Sequence, residues 1–242
     1  MDLGALDDQQ VRDWPPAVVE HLHGWRLRAT PGVRRWRSTS ALPPRHGEVD
    51  HLDEVLERVA AFAREHNQVL GVHVHDGQDA LDAELAARGG RLRMPTDVMT
   101  TRAGRLSGPA PGVTVGLDDA WLAVQADVDG RGDLDATVTQ VFHRLGGRAR
   151  HLQVPGSAVV LAVDSPGHVG VFALATRPSA RGRGLGTALL RAAAQGDPDR
   201  TLYLQVEPTN PAVALYARLG LRRTTGYAYR TWGAVAGPPP PC

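Results

Sequence analysis

The stretch LATRPSARGRGLGTALLRAA, residues 174–193, holds the side chains and spacings best suited to chemistry. It opens apolar, passes a proline, runs through Arg181-Gly182-Arg183-Gly184-Leu185-Gly186, and ends in strong helix formers. That order predicts a strand, a glycine-rich turn and a helix. The first N–H groups of a helix have no internal partner, and the helix dipole adds partial positive charge there. Glycines at that point let a ligand come close to the backbone. The chemistry implied is the holding of a phosphate or pyrophosphate.

Of two other kinds of phosphate loop, the residues exclude one and fit the second poorly. A Walker A loop needs Lys before Ser or Thr, and the chain has no Lys. A dinucleotide fingerprint needs Gly at the first, third and sixth positions; starting from Gly182 the sixth residue is Thr187, and from Gly184 it is Leu189.

The remaining pattern, Arg181-x-x-Gly184-x-Gly186, resembles the pyrophosphate-binding motif of the GNAT superfamily of acyl-CoA-dependent N-acyltransferases. Leu174, Ala175, Thr176 and Pro178 before it, and NPAVALYARLGL (210–221) after it, strengthen the resemblance. It covers about residues 113–232 and implies a GNAT fold, an α+β architecture whose central sheet is mixed and mostly antiparallel, flanked by helices. It implies acetyl-CoA as cosubstrate, no metal, and transfer to a primary amine by direct attack, without a covalent enzyme intermediate. The cofactor-binding residues it implies are Leu174, Ala175 and Thr176 along the pantetheine arm, Arg181, Gly182, Arg183, Gly184, Leu185, Gly186 and Thr187 at the pyrophosphate, and Asn210 and Tyr216 near the arm and the sulfur. Tyr216 would be the general acid for the departing thiolate. Tyr216 stands six residues after Asn210, where the family usually has seven; aligning on Ala212 instead places Thr209 at the Asn position. Many members carry a basic Glu five residues before that Asn, where this chain has Gln205. By strand alternation Tyr203, Gln205 and Glu207 share a face. Glu207 is thus the nearest candidate base; the alternative is that Gln205 positions a water. A catalytically silent acyl-CoA-binding module is the alternative reading.

The elements that must position these residues follow from periodicity. After a strand at 113–117, Asp118 can cap a helix. A second helix is expected at 133–147, then strands at 149–154, 158–164 and 168–176 separated by PGS and SPG turns. The glycine-opened helix runs to about Gln195, followed by a strand at 201–207, a helix at 210–220 and a strand at 222–232. His151 and His168 fall on strands and could face the site.

RAGRLSGPAPG (102–112) has the composition of a linker and divides the chain. The expected organisation is a degenerate GNAT-like domain over 1–105, a linker at 106–112, a catalytic domain over 113–235 and a disordered tail at 236–242, which ends in Cys242, the single cysteine. The first half reads as strands at 24–30 and 33–42, a helix at 51–66 with Leu52, Val55, Leu56, Val59 and Ala63 on one face, a strand at 68–74, a helix at 79–90 and a strand at 91–103. Its phrase GWRLRATPGVRRWRSTSALP resembles the start of a tandem GNAT group. The Arg-rich text there predicts a solvated sheet face. Where a second phosphate loop would stand, the chain has Pro43, Pro44, Arg45, His46, Gly47 and Glu48. Two prolines lack donors and Glu48 would repel a phosphate, so one CoA per chain is expected. His73 and His75 share a strand face, a spacing seen in metal sites, with no recognisable third ligand.

All 27 basic residues are Arg, balanced by 26 acidic ones to a net charge of +1, with no basic block, so neither nucleic acid nor an anionic membrane is an expected partner. The acidic start MDLGALDDQQVRDW is unlike a signal peptide, and a cytoplasmic monomer or homodimer is the expectation. The expected partner is a small-molecule amine or a peptide or protein amine.

Overall fold

A computed structural model describes residues 3–45 and 50–233. The expected disordered tail at 236–242, with Cys242, lies outside the described residues, as do His46, Gly47 and Glu48.

The chain forms two compact units, each discontinuous in sequence. Unit 1 holds the described residues up to Thr96, residues Asp135–Arg144 and those from Thr225 on; unit 2 holds Asp97–Leu134 and Leu145–Thr224. The division therefore passes through a long strand between Thr96 and Asp97, upstream of the linker-like 106–112.

Unit 1 begins with α1 (Leu3–Asp13), β1 (Val18–Leu22), β2 (Trp25–Ala29) and β3 (Ala41–Leu42). It continues with α2 (Leu52–Glu65), β4 (Gly71–His75), α3 (Asp79–Ala87) and the first half of β5 (Arg91–Arg102). Its strands run β1-β2-β3-β4 and then the last strand of the chain, β11 (Arg222–Thr231), which joins from residue Thr225 onward. Of the β1–β2, β2–β3, β3–β4 and β4–β11 pairs, β3–β4, with Ala41 against Val72, is the parallel one. Alternation sends Val72 and Val74 to one face, where they pack with Val55, Val59 and Phe62 of α2 and Leu81 and Leu85 of α3. The opposite face carries His73, His75, Tyr227 and Tyr229. Trp36 packs on Tyr229 at 5.7 Å, and a Cβ at Gly71 would run into the Trp36 ring.

Three expectations for this half are corrected. Helix α1 and strand β1 precede the first expected strand. The second expected strand, 33–42, shrinks to Ala41–Leu42, because Ser38, Thr39 and Ser40 turn their hydroxyls back onto the carbonyls of Arg35 and Trp36. The Arg-rich text is solvated only in part: Arg34 is exposed, but two of its arginines are buried. Arg28 is 3% exposed and donates to the carbonyl and hydroxyl of Ser40 at 3.0 and 2.8 Å, with burial pulling its pKa down to about 10. Arg35 is also buried, and its guanidinium lies over the Trp14 ring at 5.4 Å.

Unit 2 contains the second half of β5, β6 (Thr114–Val115), α4 (Asp119–Asp129), β7 (Ala149–Val154), β8 (Ala158–Ser165) and β9 (His168–Thr176). The short helices α5 (Leu134–Thr137) and α6 (His143–Leu145) flank a π-helical turn at Val138–Phe142. This replaces the continuous helix expected at 133–147, and its middle belongs to unit 1, where Phe142 meets Trp14 edge-on at 6.0 Å. α7 (Leu185–Ala193), β10 (Thr201–Val206) and α8 (Ala212–Arg218) complete unit 2, and β11 begins in it. The strand order is β5-β10-β9-β8-β7-β6, with β9–β10 the parallel pair. The Asp118 carboxylate caps α4 as expected, accepting from the Trp121 N–H at 2.9 Å. Helix α4 packs on β8 and β9, and α7 on β7, β8 and β9. The core beside α7 gathers Val160, Ala162, Val171, Leu189, Leu190, Leu202 and Leu204.

Candidate active site

The site grows from one irregularity in β9. Val159 of β8 pairs with Ala175 and Leu161 with Phe172, so Ala173 and Leu174 together face the single residue Val160. This is a β-bulge, and Ala173 takes a left-handed backbone with φ 51° to make it. The parallel ladder to β10 ends just before it, at Leu204 against Val171. Beyond that rung β10 stays with β5, through Gln205–Val98 and Val206–Asp97, while Ala175 and Thr176 stay with β8. The two strands part, and the edge of Leu174, Ala175 and Thr176 toward β10 is left without a neighbouring strand. An extended, amide-bearing ligand can pair with such an edge.

Past the parting, a turn over Pro178–Ala180 leads to the glycines. Gly182 and Gly184 both have φ 76°, a conformation that strains any other residue, and a side chain at either would meet nothing within 4 Å. Gly184 is the residue before α7, so the N–H groups at Leu185, Gly186 and Thr187 stand in the first turn, where helix geometry gives them no internal acceptor. Arg181 and Arg183 are exposed, resting on the carbonyls of Thr176 and Ser179 at 3.4 and 3.1 Å. Gly186 also bears on packing: a Cβ there would sit 3.3 Å from Leu215 of α8, so it sets how closely the two helices pack.

Tyr216 lies on α8, 7% exposed, within the apolar cluster that also holds Leu189 and Val206. Burial pushes its pKa up to about 12, and its hydroxyl has no hydrogen-bond partner among the described residues. The phenol therefore stays protonated at neutral pH and keeps its proton available. Asn210 uses its side-chain oxygen to accept from the Ala212 N–H at 2.9 Å, capping the start of α8, which leaves its NH2 group for other partners. Glu207 follows β10 directly and is half-buried, as is Gln205. Phe172 meets the buried Tyr203 edge-on at 6.0 Å.

The two strand histidines lie elsewhere. His168 pairs with Thr201 at the start of the parallel ladder, the end away from the parting. His151 is on β7 with its ring edge-on to Trp121 at 5.4 Å. The bulge itself is absent from the sequence reading: FALAT contains no glycine, and nothing in it marks Ala173 for a left-handed backbone.

The model of the acetyltransferase (GNAT) family matches residues 143–221, a span that includes the bulge, the glycine turn and Tyr216. The chain carries a GNAT domain there. None of the curated proteins matches it. Among solved structures, a GCN5-related N-acetyltransferase from Kribbella flavida superposes with TM-score 0.69 at 15% identity, covering 96% of this chain and 94% of that one. A conserved protein of unknown function from Staphylococcus epidermidis gives 0.68 at 11% identity over 89% of this chain and 93% of its own. A tandem GNAT protein from the clavulanic acid biosynthesis pathway gives 0.61 at 16% identity over 96% and 88%. The fold is thus a mixed α/β GNAT fold, of the kind also found in a tandem GNAT protein. Among the described residues no helix is long and apolar enough to cross a membrane.

Proposed function

We propose that unit 2 is an acetyl-CoA-dependent N-acetyltransferase that transfers to a primary amine by direct attack. The observation that carries this reading is the parting of β9 and β10 at the Ala173 bulge, with a glycine-opened helix at its head and the unpartnered Tyr216 hydroxyl on α8. The residues present fit the cosubstrate. Leu174 to Thr176 offer an open strand edge to its amide-bearing arm, and Gly182 to Thr187 offer N–H groups to its pyrophosphate, with Arg181 and Arg183 adding charge at the rim.

Transfer forms a C–N bond and breaks a C–S bond. The attacking nitrogen must lose a proton, and the departing sulfur needs one. Glu207 takes the first, directly or through a water held by Gln205. Tyr216 answers the second. A free thiol has a pKa of about 8.5, well below a phenol raised to about 12, so Tyr216 stabilises the sulfur chiefly by hydrogen-bond donation as charge develops.

Unit 1 keeps the element order, but its described residues do not repeat this arrangement. Its parallel β3–β4 pair also parts, after Ala41–Val72. There Gln78 joins the chain after β3 to the end of β4, donating to the Pro44 carbonyl at 2.8 Å and accepting from the His75 N–H at 3.0 Å. Arg45 is engaged by Asp7 at 2.5 and 2.9 Å. This supports one CoA site per chain.

Acetyl-CoA turnover against a panel of amines, with mass spectrometry of the products, tests the proposal. Binding without turnover on any amine would favour the silent acyl-CoA-binding module, a reading motivated by Gln205 at the usual Glu position.

A further inference from the structure

Outside the acyl-transfer site, one cluster of donor atoms stands on unit 1. We propose that His23, His51 and Glu54 bind a divalent transition-metal ion of the zinc class, fastening the β1–β2 turn to the start of α2. The His23 Nε2 lies 3.2 Å from Glu54 Oε1, and His51 Nδ1 lies 3.8 Å from Glu54 Oε2. All three donor atoms fall within 4.8 Å of one another. Two imidazoles and a carboxylate are a donor set that zinc accepts with one position left open. Zinc bonds of about 2.1 Å in tetrahedral geometry need donors about 3.4 Å apart. The first distance already meets that, and the others close by small rotations of exposed side chains.

The backbone holds the donors in place. His23 and Gly24 form the two-residue β1–β2 turn with φ 46° and 79°, the left-handed pair that such hairpins require. His51 also has a left-handed backbone, φ 59°, where the chain enters α2, and Glu54 follows one turn later. The two rings stack at 4.6 Å. The neighbouring carboxylate of Asp53 is committed to Arg88 at 2.9 Å. Glu54, by contrast, meets no cation among the described residues except these imidazoles. The side chains are 38% (His23), 59% (His51) and 60% (Glu54) exposed, so an ion can enter without any opening of the fold. That exposure also limits affinity.

The test is zinc chloride titrated calorimetrically into untagged, chelator-stripped full-length chain at pH 7.5. The expected result is one saturable Zn²⁺ per chain with a micromolar dissociation constant and a rise in melting temperature. Glu54→Gln and the pair His23→Ala with His51→Ala should each weaken binding at least tenfold, whereas His143→Ala, an exposed histidine elsewhere, should not. Melting in chelator checks that each variant is folded; Glu54→Gln leaves the backbone turns untouched. No saturable binding to the parent chain, or equal binding by the parent and both site variants, overturns the site. Neither outcome depends on acetyl transfer.

Discussion

Leu204 and Val171 form the last rung of the parallel ladder between β10 and β9. Two residues further along β9, at Ala173, the bulge begins, and from there each strand keeps only its outer neighbour. The opening is a consequence of register, so it exists before any ligand arrives. The proposed arm-binding edge is preorganised, and its residues act through backbone atoms more than through side chains.

Gly184 and Gly186 should respond differently to substitution. Gly184→Val forces a β-branched residue into φ 76°, at a cost of about 1–3 kcal/mol, and puts a side chain where the pyrophosphate approaches. Acetyl-CoA should raise the melting temperature of the parent chain, by preferential binding to the folded state, and not that of this variant. Gly186→Ala needs only a small shift of the flexible Leu215 side chain, so it should keep the acetyl-CoA-dependent rise. Thermal melts with and without acetyl-CoA read both, and loss of the rise in Gly186→Ala alone would reverse the assigned roles.

Tyr216→Phe removes a hydroxyl that has no hydrogen-bond partner among the described residues, so stability and acetyl-CoA affinity should be little changed. Turnover should fall by about 10²–10⁴, the usual contribution of a positioned acid. Because burial raises this phenol to about 12, the parent should show no alkaline loss of rate from Tyr216 up to about pH 10. A fall of less than about tenfold would return Tyr216 to core packing.

Glu207→Gln keeps shape and loses the ability to accept a proton. kcat should drop by about 10²-fold near neutral pH, and less as pH rises and the amine loses its proton unaided. Gln205→Ala compared alongside it tells which of the two handles the proton: a larger, pH-independent loss there would move the role to a water held by Gln205.

His73 is buried between His75 at 4.4 Å and Tyr227 at 4.2 Å, and neither ring nitrogen has a hydrogen-bond partner among the described residues. Desolvation, then the charges of His75, Arg28, Arg45 and Arg26, hold its pKa well below 6.5. The unfolded chain therefore binds a proton that the folded chain refuses. The stability tied to neutral His73 is complete above about pH 6.5 and drains away as pH falls from there, by up to about 1.4 kcal/mol per pH unit. His73→Phe, which keeps a ring between the tyrosines, should flatten that slope in urea melts between pH 7 and 5. An unaltered slope would assign acid sensitivity to other groups.

The second half of the fold was legible because its punctuation is chemical. Asp118 caps α4, PGS and SPG close the β7–β8 and β8–β9 turns, and the strands and later helices fall within a residue or two of their expected places. The first half hides its rules. Helix α1 buries Asp7, Gln9 and Asp13 beside Leu6, so its inward face carries almost no apolar pattern. At 33–42 the β-rich text is overruled by hydroxyls bonding back to Arg35 and Trp36. His23 and His51 are distant in sequence and meet only because a hairpin turn and a helix start are packed together. For the proposed site, the glycine motif and Tyr216 could be read directly, whereas the bulge at Ala173 depends on register across three strands.

Isothermal titration of the full chain with acetyl-CoA tests the central claim most directly. The proposed site lies in unit 2, while in unit 1 Gln78 joins the chain after β3 to the end of β4 and Arg45 is held by Asp7. The expected stoichiometry is one per chain, abolished in Gly184→Val. No binding by the parent chain, or a second site that survives Gly184→Val, would contradict it.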